Sequence, residues 1–97
     1  MATYFGDTAN IFQILSTQKV VIGTTSANVQ LQANSVYRLI ADVPVFLKQG
    51  QDNTVAATIG DMLLDAYQEF FLNTRNGMEW LAFIGNGTGN LYITKVA

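Results

Sequence analysis

The sequence predicts an all-β fold, an antiparallel sandwich or barrel of about 6–8 short strands. Two features of the chain support this prediction. Clusters of Gly, Asn, Ser and Thr interrupt it at intervals of roughly 8–15 residues, and short runs rich in Val, Ile, Leu, Phe and Tyr lie between them. The length of 97 residues leaves room for only one hydrophobic core. We therefore expect residues 1–97 to form a single domain, in which residues 1–15 are an N-terminal arm.

The clearest strand signal is the run Tyr37–Lys48, whose odd positions are apolar or small and whose even positions include charged residues. This alternation is typical of a strand with one buried face. Pro44 lacks a backbone N–H, so it predicts an edge, a bulge or a break that divides the run into two strands. The residues expected to dominate the core are Leu39, Val43, Val45, Ile84, Leu91 or Tyr92, and Ile93.

Two hairpins are predicted in the last third of the chain. Asn76-Gly77 is a residue pair typical of type I′ turns, so Glu69–Thr74 and Met78–Ile84 are expected to pair with each other. The Gly- and Asn-rich segment 85–90 predicts a second turn, which joins Met78–Ile84 to Leu91–Val96. The second hairpin has the stronger turn signal.

The remaining segments give weaker signals. Lys19–Gly23 and Val29–Gln32 are predicted as strands on either side of a polar loop. Thr8–Leu15 is compatible with a short helix capped by Thr8 or with an extended arm. Ile59–Tyr67 is compatible with one helical turn or with an irregular loop.

Composition and charge exclude several classes of function. The net charge is −2, and the five Lys and Arg residues stand far apart, so no basic patch is expected to bind nucleic acid. The chain has no His and no Cys, which removes the commonest metal ligands and the usual nucleophile and base of an active site. We therefore expect no enzyme activity, no metal and no other cofactor.

The sequence also predicts where the protein works. No apolar run approaches the roughly 20 residues that a membrane-spanning helix needs, and the first residues lack the basic start and apolar run of a signal peptide. We expect no membrane partner and assembly in a cytoplasm. Only 12% of the residues are charged against 49% hydrophobic ones, which favours a surface covered by other protein chains over a neutral polar surface.

Two groups of residues could be taken for chemical sites. Asp61, Asp65 and Glu69 recur every four residues, and Glu69 with Glu79 could be read as the carboxylate pair of a glycosidase. Such a pair needs a cleft that a small domain can hardly provide, so these carboxylates are interpreted as solvated charges. The glycines of segment 85–90 are interpreted as turn residues, because a phosphate-binding loop would precede a helix and here a strand is predicted to follow.

Adjacent aromatic residues indicate an interaction surface. Neighbours in an extended chain point to opposite faces, so Phe70 and Phe71 cannot both enter one core, and the same holds for Tyr4 and Phe5. One member of each pair is available to another chain. The residues expected at such an interface are Tyr4, Phe5, Phe12, Phe70 and Phe71.

The order of several short segments carries a resemblance to a known group of proteins. These segments are Tyr37–Ala41, Val45–Gly50, Asp61–Leu64, Glu69–Phe71 and Leu91–Thr94. Over residues 29–96 the chain resembles small all-β virion proteins of tailed bacteriophages, which decorate or cement capsids or form short head fibres. The apolar N-terminal stretch departs from this pattern.

The resemblance implies a function. It implies a capsid decoration or cement protein that is located in the virion, forms a homo-oligomer, commonly a trimer, and binds the major capsid protein or other virion proteins. The alternative is a carbohydrate- or peptide-binding β module that uses Trp80, Phe83 or Tyr92 as a stacking surface.

Overall fold

A computed structural model describes residues 14–75 and 77–97 of the chain, and in this part it contains eight strands and no helix. The predicted all-β class is confirmed, and the strand number agrees with the prediction. The strands are β1 (Ser16–Ile22), β2 (Ala27–Gln30), β3 (Ser35–Ala41), β4 (Val45–Gly50), β5 (Met62–Leu64), β6 (Phe70–Thr74), β7 (Trp80–Gly85) and β8 (Gly89–Lys95).

The strands form two four-stranded antiparallel sheets packed face to face. The first sheet has the order β1-β8-β3-β6, and the second has the order β2-β7-β4-β5. Each strand pairs with its counterpart counted from the other end of the chain: β1 with β8, β2 with β7, β3 with β6, and β4 with β5. The chain is thus one long antiparallel ribbon wrapped around a core, which is the topology of a jelly roll.

Both predicted hairpins are wrong. β6 lies in the first sheet and β7 in the second, so the segments on either side of Asn76-Gly77 do not pair. β7 and β8 also lie in different sheets, because β8 pairs with β1 and β3 of the first sheet. Gly77 does adopt a positive φ of 85°, as its turn chemistry requires. Turn residues suit an arch between two sheets as well as a hairpin within one, so they do not determine the strand partner.

The break at Pro44 is confirmed. β3 ends at Ala41 and β4 begins at Val45, and the two strands lie in different sheets. Residues 42–44 form the connection between the sheets, where Pro44 interrupts no ladder hydrogen bond. The alternating run is therefore two strands that keep their apolar residues directed toward the same core.

Two other segments differ from their predictions or lie partly outside the described residues. Ile59–Tyr67 forms neither a helical turn nor a wholly irregular loop, since it contains the short edge strand β5. Of Thr8–Leu15, only Ile14 and Leu15 are described, and the Leu15 N–H donates to the Lys95 carbonyl oxygen at 2.9 Å. This hydrogen bond continues the β1–β8 ladder beyond Ser16.

The core lies between the two sheets and contains most of the predicted residues. Leu39, Val45, Leu91 and Ile93 are essentially inaccessible, whereas Val43 is only partly buried. Two predicted positions face away from the core: Ile84 lies on the outer face of the second sheet, and Tyr92 lies on the outer face of the first. The core is completed by Ile22, Leu31, Tyr37, Ala41, Leu47, Leu64, Leu72, Leu81 and Phe83.

The long connection between β4 and β5 covers part of the outer face of the second sheet. The Asn28 side-chain amide on β2 donates to the carbonyl oxygens of Asn53 (2.9 Å) and Val55 (3.3 Å). The Ala57 N–H donates to the Ser26 hydroxyl at 2.9 Å. Ala82 faces outward on β7 beside Asn28, and it is fully buried.

Candidate functional site: two apolar sides of the sandwich

The exposed hydrophobic side chains are concentrated at two opposite sides of the sandwich. β1 and β2 are edge strands of their sheets on one side, and β5 and β6 are edge strands on the other. We name these the β1–β2 side and the β5–β6 side. The first carries Ile14, Leu15 and Val21, and the second carries Met62, Leu63, Tyr67 and Phe71.

Only two other large hydrophobic side chains of the described residues are exposed to a similar degree. Ile59 lies in the connection between β4 and β5, and Tyr92 lies on β8. Seven of the nine exposed large hydrophobics therefore belong to the two sides. Exposed apolar residues gathered in this way mark surfaces that contact other macromolecules more often than single scattered ones do.

The structure describes two of the five predicted interface residues, Phe70 and Phe71. Tyr4, Phe5 and Phe12 lie outside the described residues. Phe70 packs against the core and Phe71, its neighbour on β6, is 43% exposed on the outer face. Phe71 is therefore the more accessible member of the pair, and the interface that Tyr4, Phe5, Phe12, Phe70 and Phe71 were expected to form stays a prediction.

The β5–β6 side also contains residues that the sequence analysis missed. Met62 and Leu63 are exposed, while Leu64 next to them is buried against Val45. The sequence did contain a signal, because three consecutive apolar residues in a strand cannot all face one core. Leu63 lies beside the half-buried Phe46 on the outer face of the second sheet.

Tyr67 is the most unusual residue of the β5–β6 side. It has a φ of 60° and is 74% exposed. It occupies the third position of a turn in which the Gln68 N–H donates to the Asp65 carbonyl oxygen at 3.1 Å, and its own N–H donates to the Ala41 carbonyl oxygen at 2.7 Å. The left-handed conformation costs a residue with a Cβ about 1–2 kcal/mol. A bulky aromatic ring is thus held in solvent at a position that favours glycine.

We expect Tyr67→Gly to raise the free energy of unfolding by about 0.5–1 kcal/mol. Glycine relieves the left-handed strain, and the greater freedom of the unfolded glycine offsets part of this gain. Tyr67→Ala is the matched control, because it removes the ring but keeps the Cβ, and so it should bring no such gain. Urea denaturation of the three proteins measures the difference. A clear loss of stability in the glycine variant would show that the ring packs within its own chain.

A carboxylate connects the loop after β3 to the start of β8. Asp42 Oδ1 accepts from the Asn90 N–H at 2.7 Å, and Oδ2 accepts from the Asn90 side-chain amide at 3.0 Å. The Asp42 N–H donates back to the Asn90 carbonyl oxygen at 3.1 Å. The hydrogen bonds from Asn90 lower the pKa of Asp42, and the positive charge of Lys19 adds to this effect.

The lowered pKa of Asp42 predicts a loss of stability in acid. The unfolded chain binds this proton more readily than the folded chain, so the ionised Asp42 stabilises the fold above the ordinary pKa of 3.8. This contribution disappears as the pH falls through the lower pKa of the folded state. We expect the melting temperature to fall below about pH 4, and Asp42→Asn to flatten part of this fall. Thermal scans of both proteins between pH 2 and pH 7 test this, and an Asp42→Asn profile identical to that of the wild type would contradict it.

A groove of about 610 Å³ opens at the end of the sandwich where β1 begins. Its walls include Gln18, Gln30, Gln32, Glu79 and Lys95, and Tyr37 contributes to its floor. The Tyr37 hydroxyl accepts from the Gln32 N–H at 2.9 Å, and its ring is buried. The groove therefore presents amide and charged groups but no exposed aromatic ring for stacking.

The candidate carboxylates do not form a common site. Asp61 accepts hydrogen bonds from the N–H and hydroxyl of Thr58, and Glu69 forms an ion pair with Arg38 on the outer face of the first sheet. Glu79 accepts from the Gly77 N–H at 3.3 Å beside the groove. Among the described residues there is no group of three or more His, Cys, Asp or Glu side chains placed to hold a metal ion.

The proposed stacking residues are also separated. Phe83 is buried in the core, Trp80 lies half-buried on the outer face of the second sheet, and Tyr92 lies on the outer face of the first. They do not share a surface, so a joint platform for sugars or bases is not formed. In the described part of the chain, no helix has the length and hydropathy to cross a membrane.

Comparison with known proteins identifies no matching family model, no curated relative and no similar solved structure.

Proposed function

We propose that this chain is a structural virion protein that decorates or cements the head of a tailed bacteriophage as a homo-oligomer, with a trimer as the expected size. The observation that carries the proposal is the concentration of exposed apolar side chains at two opposite sides of the sandwich. Surfaces of this kind are stabilised when other protein covers them. The resemblance of residues 29–96 to phage virion proteins supplies the biological setting.

The architecture is compatible with this role. Jelly rolls are common among viral capsid proteins, and they also occur in lectin domains, so the topology supports the proposal without deciding it. The low charge of the chain favours assembly, because charged residues are depleted in the centres of protein interfaces. The carboxylates lie apart from one another, which favours a structural role over a catalytic one.

A carbohydrate- or peptide-binding module is the second candidate, and the groove beside Gln18, Gln30 and Gln32 favours it. Amide side chains hydrogen-bond sugar hydroxyls and peptide groups well. The burial of Tyr37 weakens the carbohydrate form of this candidate, since no accessible aromatic ring lines the groove for stacking on a sugar.

Analysis of purified particles tests the virion proposal. Phage carrying the gene would be grown, its particles purified on a density gradient, and their proteins quantified by mass spectrometry. We expect peptides of this chain to sediment with the particles at a constant ratio to the major capsid protein. Peptides found only in the unsedimented lysate would contradict the proposal and would favour the binding module.

A further inference from the structure

We propose that copies of this chain associate head to tail, with the β1–β2 side of one copy packed against the β5–β6 side of the next. This inference rests on the homo-oligomer of the proposed function and specifies its contact. A head-to-tail contact uses two different surfaces, and it generates a closed ring or an open filament, depending on the rotation between copies.

The charges of the two sides are complementary. Lys19 is the only charged residue between positions 14 and 32, the segment that contains β1 and β2. Residues 61–74, which contain β5 and β6, include Asp61, Asp65 and Glu69 and no Lys or Arg. Glu69 is paired with Arg38, and Arg75 follows directly after β6, so Asp61 and Asp65 against Arg75 leave this side with an excess of one negative charge.

This distribution favours contact between unlike sides over contact between like sides. Two β5–β6 sides facing each other would bring their carboxylates together, and like charges across an interface are unfavourable. A β1–β2 side instead offers the Lys19 ammonium together with the exposed Val21 and Leu15 side chains. The occupant that best fits the β5–β6 side is therefore the other side of a second copy.

The backbone of the first sheet favours the same contact. Its two edge strands, β1 and β6, are separated by two strands in an antiparallel order, so they run in opposite directions. Rotation about an axis parallel to the strands would place β6 of one copy antiparallel to β1 of the next. Natural edge strands are commonly protected from pairing by proline or charge. β6 contains neither, and β1 contains only Lys19.

The apolar area is sufficient for the centre of an interface. The four exposed side chains of the β5–β6 side present roughly 400 Å² of mostly apolar surface in total, judged from the 150–250 Å² of an aromatic side chain, and this total is shared between the outer face of the second sheet, which carries Leu63, and that of the first, which carries Phe71. A standard interface buries about 800 Å² per partner, and somewhat more than half of that is apolar. Tyr67, which is most exposed and held away from its own chain, is placed to be the main anchor of the contact.

Mixing two variants, each with one side disabled, tests the head-to-tail contact directly. Val21→Asp places a charge on the β1–β2 side, and Tyr67→Asp places one on the β5–β6 side, where Asp tolerates a positive φ better than Tyr. Each variant alone lacks one half of every contact and should run as a 10.6 kDa monomer in size exclusion with light scattering. In an equimolar mixture, the intact β5–β6 side of Val21→Asp can bind the intact β1–β2 side of Tyr67→Asp. The mixture should therefore form a complex of twice this mass.

Two controls make the result specific. Ile59→Asp changes an exposed residue outside both sides and should assemble as the wild type does. A variant with both Val21→Asp and Tyr67→Asp should not form a complex with either single variant. Circular dichroism confirms that each protein is folded.

The possible outcomes distinguish a failure of the head-to-tail contact from a failure of the proposed homo-oligomer. Wild-type assembly together with unchanged assembly of either single variant would overturn the head-to-tail contact and leave the oligomer standing. Monomeric single variants whose mixture also stays monomeric would overturn it as well, because unlike sides would then not recognise each other. A monomeric wild type would overturn the oligomer itself.

Discussion

Val45→Asp is expected to lower the free energy of unfolding by several kcal/mol, which is a large part of the stability of a small domain. Val45 has no accessible surface, and it lies in β4 opposite Leu64 on one side and Gly85 on the other. The core around it consists of hydrocarbon and aromatic side chains, so the new carboxylate would have no cation beside it. Burying an unpaired charge costs several kcal/mol, whereas a small domain is stable by only about 5–15 kcal/mol in total.

Circular dichroism during thermal and urea denaturation measures this effect. Lys48→Asp is the matched control, because it places the same side chain on the same strand at an exposed position. The control should melt within a few degrees of the wild type, since exposed substitutions typically change stability by about 0.5 kcal/mol or less. An unchanged melting temperature of Val45→Asp would show that Val45 faces water and that the assignment of the core is wrong.

Gly89→Ala is expected to lower the free energy of unfolding by about 1–3 kcal/mol. A Cβ at this position would overlap both methyl groups of Val43, with its Cγ1 only 2.8 Å away, and would lie 2.7 Å from Asp42 Oδ1. Val43 has no flexible end to move aside, and Asp42 is held by Asn90. The cost is therefore a steric one at the place where the loop after β3 packs on the start of β8.

Two controls separate this steric effect from the general cost of replacing glycine. Gly87→Ala, two residues earlier in the same connection, meets no atom within 4 Å and should be nearly neutral. Combining Gly89→Ala with Val43→Ala removes the two nearest methyl groups, so the double variant should lose less than the two single variants together. Additive losses in urea denaturation would contradict the steric explanation.

The sequence predicted the orientation of residues along each strand better than it predicted the strand partners. The alternation in Tyr37–Lys48 correctly identified Leu39 and Val45 as core residues, because a strand turns successive side chains to opposite faces. The same local rules mispaired β6 with β7 and β7 with β8. In this topology β8 pairs with β1 and β3, which are both distant in the sequence, and turn residues contain no information about such distant partners.

The interaction surface was predictable only in part for the same reason. Alternation requires Phe70 and Phe71 to face opposite ways, but it does not say which of them packs on the core. That choice follows from the register of β6 on β3, where Phe70 lies opposite the buried Leu39. Tyr67 could not be identified from its neighbours, since its exposure depends on the turn that holds it at a positive φ.

The mass of the wild-type chain in solution tests the proposed assembly most directly. Size exclusion with light scattering at micromolar concentration gives this mass without reference to shape. Burying a few hundred Å² of apolar surface per chain at roughly 25 cal/mol per Å² offsets a substantial part of the entropy lost on association. We therefore expect a multiple of the 10.6 kDa chain mass, with three chains as the expected number. A single species of 10.6 kDa would contradict the account and would leave the end groove as the better candidate for function.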